Sequence, residues 1–161
     1  PEYFCLRNVW RSEPIMKPFF KISKFDGSVI ATYNNLSKAA KESDSGLSYQ
    51  AIGLALKHQR LSTGLYFYRF ADEYNGFESF EGKKHRPIFI KDIKTNQISW
   101  FESILALSKA LFIPDWSIRT ALSKYDGRMS RLGYKAWMQK DTNEIIRLRN
   151  EGYEVVMTDD L

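Results

Sequence analysis

The sequence predicts an α+β protein made of two tandem β-β-α-α-β units, and three observations carry that prediction. Lys17-Pro18-Phe19-Phe20 returns as Arg86-Pro87-Ile88-Phe89, in each case a basic residue, a proline and an apolar pair. After each opening the residue pattern changes in the same order, from two extended stretches to two short helical ones and back to an extended, aromatic one. The length differences between the copies fall in turns, where insertions and deletions are tolerated. The units span 17–74 and 86–140, with an N-terminal extension 1–16, a linker 75–85 and a C-terminal tail 141–161.

Each unit opens with a predicted hairpin. Phe19 to Lys24 and Ile88 to Ile93 are extended, and the turn signals Asp26-Gly27 and Thr95-Asn96 follow. A cap-type residue then starts the first helix of each unit, Asn35 before Leu36 to Ala40 and Ser103 before Ile104 to Ser108, because a short polar side chain can accept from the unpaired N–H groups of the first turn. The helices break at Ser43-Asp44-Ser45-Gly46 and at Phe112-Ile113-Pro114. In the second helices, Ile52, Ala55 and Leu56 correspond to Ile118, Ala121 and Leu122, which share one face at i, i+3 and i+4. The units close with Gly64-Leu65-Tyr66-Phe67-Tyr68 and Gly133-Tyr134-Lys135-Ala136-Trp137. In the tail, Asn143 to Asn150 reads as a short helix and Tyr153 to Met157 as a strand, able either to complete the second unit or to mediate dimerisation.

Composition supports a folded core, with 43% hydrophobic residues and only 5 Pro and 9 Gly in 161 residues. No run approaches the roughly 18 apolar residues of a membrane span, and Pro1 to Phe4 lack the basic-then-apolar layout of a signal peptide. Cys5 is the only cysteine, so an internal disulfide and a cysteine-type zinc site are excluded, and a reducing compartment such as the cytoplasm of a cell or host cell fits best. The formal charge of +5 is uneven. Both units are basic, the second about twice as much as the first, and the tail is acidic. A basic body suggests a polyanionic partner.

Two short helices joined by a tight break, the second with polar residues opposite an apolar face, form a helix-turn-helix pattern. The whole order, read on Phe25-Asp26-Gly27, Leu36 to Lys41, Ser48 to Leu56 and Gly64 to Phe70, resembles the modular DNA-binding repeats appended to phage and intron homing endonucleases of the HNH and GIY-YIG classes. The second copy departs from the pattern at Thr95-Asn96, Pro114 and Trp137. The resemblance implies a phage or mobile-element origin and a recognition role for the second helix of each unit. Its outward positions are Tyr49, Gln50, Gly53, Leu54 and Lys57 in the first copy, and Asp115, Trp116, Arg119, Thr120 and Ser123 in the second. Gln can read adenine and Arg can read guanine through paired hydrogen bonds. Asp115 would repel phosphate unless it caps its helix.

Lys57, His58 and Arg60 at the end of one helix, and Lys124, Arg128 and Arg131 at and after the end of the other, can contact phosphate, although a helix C-terminus also favours cations through its dipole. Lys83 and Lys84 with His85 and Arg86 form a basic loop suited to phosphate contact. Trp116 can stack on a base or pack against its own unit. Tyr66, Phe67, Tyr68 and Phe70 alternate along a closing strand and belong to the core. His58 and His85 are the only histidines and lie in different halves, so neither a metal centre nor a nuclease site is predicted; no phosphate loop or nucleophile elbow occurs. The expected function is therefore non-catalytic binding of duplex DNA, without cofactor. Two alternatives remain open: an RNA-binding component of a ribonucleoprotein, and a protein-interaction module, such as a phage inhibitor of a host enzyme, acting through the acidic tail.

Overall fold

The computed structural model describes residues 16–157. Cys5, most of the predicted extension 1–16, and Asp159 and Asp160 of the acidic tail lie outside the described residues. The chain is a mixed α+β structure whose strands form two sheets. Strands β1 (Phe19–Ser23), β2 (Val29–Tyr33) and β3 (Tyr66–Phe70) form an antiparallel sheet ordered β2-β1-β3, with helices α1 (Leu36–Lys41) and α2 (Tyr49–His58) between β2 and β3. The second sheet is ordered β6-β7-β4-β5-β8. It contains β4 (Ile88–Asp92), β5 (Ile98–Phe101), β6 (Arg128–Met129), β7 (Tyr134–Met138) and β8 (Val155–Met157), with α3 (Ile104–Leu111) and α4 (Asp115–Lys124) after β5 and α5 (Glu144–Asn150) before β8. Among the described residues no helix is long and apolar enough to cross a membrane.

Local chemistry accounts for the helix starts. Asn35 Oδ1 accepts from Lys38 N at 3.2 Å, Ser48 Oγ from Ala51 N at 3.2 Å, and Ser103 Oγ from Ala106 N at 3.0 Å. Each bond satisfies one of the N–H groups that a helix start leaves unpaired. The turn before β5 is held by Asp92 Oδ1, which accepts from Lys94 N at 2.9 Å, and by Asn96 at a φ of 61°, a left-handed conformation that asparagine tolerates.

Alternation along the central strands buries both faces of each sheet. Phe19 and Tyr68 pack with Tyr33, Ala39, Ile52 and Leu56 beneath α1 and α2, while Ile22 and Phe67 face the opposite side with Leu61 and Phe80. In the second sheet Ile88 and Ile90 meet Leu107, Ile113, Ile118 and Ala121, and Phe89 turns to Trp100, Ile145 and Val155. Phe25 joins that last cluster and meets Trp100 edge to face, with ring centroids 5.3 Å apart, so the loop after β1 is anchored in the core of the second sheet.

Two segments differ from the sequence expectation. The stretch 75–85, expected to be a linker, is packed: Phe80 is fully buried, its ring 5.7 Å from Phe67, and Phe80 N donates to Lys140 O at 2.8 Å. Glu78 in the same stretch accepts from Arg69 Nε at 3.0 Å and pairs with Lys83. Burial alone would raise the Glu78 carboxyl, but the hydrogen bonds from Arg69 and Lys83 outweigh it and hold the pKa below the usual value. The tail is integrated as well, with β8 parallel to β5 and Ile145 of α5 buried against Phe89 and Trp100. Of the two roles open to the tail strand, it takes the first and extends the second sheet.

Gln139 ties the halves together. Its side-chain Nε2 donates to the carbonyls of Lys24, Phe25 and Asp141 at 3.0, 3.3 and 2.8 Å, and its Oε1 accepts from Trp100 Nε1 at 2.7 Å. All of the amide's donor and acceptor groups are used, as burial requires.

Candidate nucleic-acid interface

Helix α2 is held down by Ile52, Ala55 and Leu56, which leaves Tyr49, Gln50, Leu54 and Lys57 exposed on the opposite face, with Gly53 half-buried between the two. The helix ends at Gln59, whose φ of 51° is left-handed. Arg69, 1% exposed, donates to the carbonyls of Gln59 and Arg60 at 2.8 and 2.9 Å. This buried guanidinium fixes the point where α2 stops. Sequence reading missed it because its partners lie nine and ten residues away on a different element. The Arg60 side chain remains at the surface, next to exposed His58.

Helix α4 is seated by Ile118 and Ala121, with Leu122 half-buried beside them. With about 100° of rotation per residue, Trp116 and Ser123 form the crest of the outward face, Arg119 lies on one flank and Thr120 on the other. Arg119, Ser123 and Lys124 are exposed, Thr120 is half-buried, and Trp116 is 69% exposed. Packing of Trp116 against its own unit is thereby corrected: at about 100° per residue it points away from Ile118 and Ala121, and no core cluster among the described residues includes it. Asp115 does not cap the helix either. The cap position is Pro114, without a side-chain bond, and Asp115 Oδ2 lies 3.4 Å from Arg119 Nε one turn later.

A cleft borders each flank of this helix. On the Arg119 side it runs past Lys84, His85 and Arg86 to Thr63 and Gly64, with Lys24 at its floor. On the Thr120 side it lies between α4 and the short 3-10 helix Ser130–Leu132, and is lined by Trp116, Tyr125, Arg128 and Arg131. The predicted residues of the second copy are therefore gathered around one helix, together with Lys84 from the segment between the sheets. Lys83 also lines the first cleft, but its ammonium is engaged by Glu78. Tyr49, Gln50 and Lys57 on α2, with Arg60 just after its end, form a separate exposed group and line neither cleft.

Several functional features were not visible in the sequence. The fully buried Lys24 donates to the carbonyls of Ser62 and His85, at 2.5 and 3.0 Å, and burial lowers its pKa to about 8 against the pull of Glu102 and Asp44. The pKa of His85 is lowered too, first by burial and then by the neighbouring cations Lys24 and Lys84. Phe112, 92% exposed, occupies the break between α3 and α4 at a φ of 56°, a conformation that favours glycine. Among the described residues no group of three or more His, Cys, Asp or Glu side chains is arranged to hold a metal ion. Comparison with known proteins finds no matching family model, curated protein or solved structure.

Proposed function

We propose that the chain is a non-catalytic nucleic-acid-binding protein of two tandem helix-turn-helix units, which grips duplex DNA with α4 as its principal recognition helix. The observation that carries this reading is the exposed crest of α4, Trp116 and Ser123, with a cation-lined cleft on each flank. A helix in the B-form major groove has a phosphate backbone on either side of it. Arg128 and Arg131 on one side and Lys84 and Arg86 on the other are the corresponding phosphate contacts, leaving Thr120 to reach a base edge and Arg119, at the margin of the cleft, to divide its five N–H donors between a base edge and the phosphate. The first unit adds Lys57 and Arg60 as phosphate contacts and Gln50 as a weaker reader, since Gly53 stands where the second unit has Arg119.

Duplex DNA is favoured over duplex RNA because the deep, narrow major groove of A-form RNA does not admit a helix. The alternative in which the acidic tail acts on a protein partner has less to draw on. It rests on Glu151 and Glu154, which are exposed, and on Asp159 and Asp160 outside the described residues, whereas the carboxylates Asp141 and Glu144 at the start of the tail are engaged, Asp141 by Arg147 and Glu144 by Trp137 Nε1 at 2.8 Å and Lys140 N at 2.6 Å.

Competition binding with duplex DNA, duplex RNA and single strands of the same sequence tests the proposal. Duplex DNA is expected to compete best, and plasmid DNA incubated with magnesium or manganese is expected to stay intact. Preference for RNA would favour the ribonucleoprotein alternative, and absence of competition by any nucleic acid would contradict the reading.

A further inference from the structure

The cleft beside Arg119 has an unusual floor. Lys24 follows β1 directly and is fully buried, yet it lines this cleft. An ammonium has three donors, and the carbonyls of Ser62 and His85 take two. The third N–H has no acceptor among the described residues. Glu102, on the cleft wall, and Asp44 attract the charge through space, but neither forms an ion pair with it among the described residues. A buried cation that is incompletely hydrogen-bonded is costly, and an anion in the cleft would relieve that cost.

Around the cleft the cations Lys84, Arg86 and Arg119 outnumber the single carboxylate of its lining, Glu102. Arg86 spends Nε and Nη2 on the Gln139 carbonyl, at 3.2 and 2.9 Å, and keeps Nη1. Lys84 is exposed and has no ion pair among the described residues, and Arg119 has only its surface pair with Asp115. His85 holds a φ of 63°, a conformation costly for a residue with a side chain, in the turn that aims its carbonyl at Lys24.

We propose that this cleft is a phosphate-binding site, with Lys24 Nζ meeting the anion from the floor and Lys84, Arg86 and Arg119 closing on it from the rim. Donors converging from the floor and from three rim positions suit the several oxygens of a tetrahedral anion better than the two coplanar oxygens of a carboxylate. The phosphate belongs to a nucleic acid, if the function proposed above holds, or to a free phosphomonoester; the local chemistry is shared.

The two histidines provide matched reporters. Inorganic phosphate is titrated into the full chain at constant ionic strength, with chloride as the balancing salt, while the ring resonances of His85 and His58 are followed by NMR. The site predicts a saturable shift of His85 and a rise in its pKa, with His58 unchanged. Lys84→Ala and Arg119→Ala should each weaken phosphate binding about tenfold. Lys24→Met should abolish it, and the two rim variants decide the matter if that protein does not fold. A duplex with a 5′-phosphate and one with a 5′-hydroxyl then identify the source. Perturbation of His85 by both indicates an internal backbone phosphate, by the first alone a strand end, and by inorganic phosphate alone a free ligand; each supports the site. Equal, non-saturating shifts of both histidines, or rim variants that bind phosphate normally, would overturn it. Duplex binding that leaves His85 silent, with no response to phosphate, removes the site and spares the proposed function. Saturable phosphate binding without duplex binding does the reverse.

Discussion

Arg119 Nε lies 3.4 Å from Asp115 Oδ2, one turn back along α4, and both side chains are largely exposed. A surface pair of this kind contributes less than about 1 kcal/mol, so a guanine edge or a phosphate can displace the carboxylate from the guanidinium. Asp115→Asn is therefore expected to raise duplex affinity a few-fold, by freeing Arg119 and removing a charge that repels phosphate, while leaving the fold intact. Lower affinity in a folded Asp115→Asn protein would mean that the pair positions Arg119 for binding.

Arg119→Ala is expected to cost about 1–3 kcal/mol of specific binding and to relax sequence preference, because a bidentate base contact carries that much discrimination. Gln50→Ala should cost less. Titration against the preferred duplex and a single-base variant checks both. An Arg119→Ala protein with normal affinity and unchanged site preference would show that α4 does not read bases.

Lys24 gives stability a pH dependence of definite sign. Its folded pKa is about 8 against an ordinary 10.5, so between those values the unfolded chain binds more protons than the folded one. Stability should then rise with pH from about 8 toward 10, at up to about 1.4 kcal/mol per pH unit. Above 10 the trend reverses, because burial raises Tyr68 and Tyr74 to about 12 and the unfolded chain ionises its tyrosines first. Urea unfolding across this range should show the rise in the native chain and its loss in Lys24→Met. The same rise in both proteins would assign it to another group.

Gly127 fixes the turn that presents Arg128. Its φ is 79°, its N–H donates to Ala121 O at 2.8 Å, and its carbonyl accepts from Ala136 N at 2.8 Å, linking the end of α4 to β7. A Cβ there would sit 1.8 Å from the Ala136 carbonyl oxygen. Gly127→Ala should therefore cost about 3 kcal/mol or more, through strain and overpacking together. A loss below about 1 kcal/mol in thermal or urea unfolding would show that this turn rearranges freely.

What the sequence made legible was local. Asn35 and Ser103 announce helix starts because a cap bonds to an N–H three residues on, and Ile52-Ala55-Leu56 and Ile118-Ala121-Leu122 reveal the core-facing sides through spacing alone. The arrangement that places Lys84 beside Arg119 was not legible, since it depends on Phe80 packing into a distant cluster. Arg69, Lys24 and Gln139 were missed because most of their partners are backbone carbonyls, which every residue carries, and the side-chain partners Glu78 and Trp100 lie on other elements, so nothing in the residue types marks them. Trp116 was ambiguous because an aromatic near a helix start suits either face, and only the rotation set by Ile118 decides it.

The most direct test of the central claim is the salt dependence of duplex DNA binding by the full chain. Cations on both flanks of α4 and on α2 predict that log K falls linearly with log salt between roughly 50 and 200 mM, with a slope matching about four to eight phosphates at roughly −0.9 each. Replacing Arg128 and Arg131 together by alanine should remove about two of those contacts from the slope. Duplex affinity that does not change across that salt range, or no duplex binding at its lower end, would contradict the account.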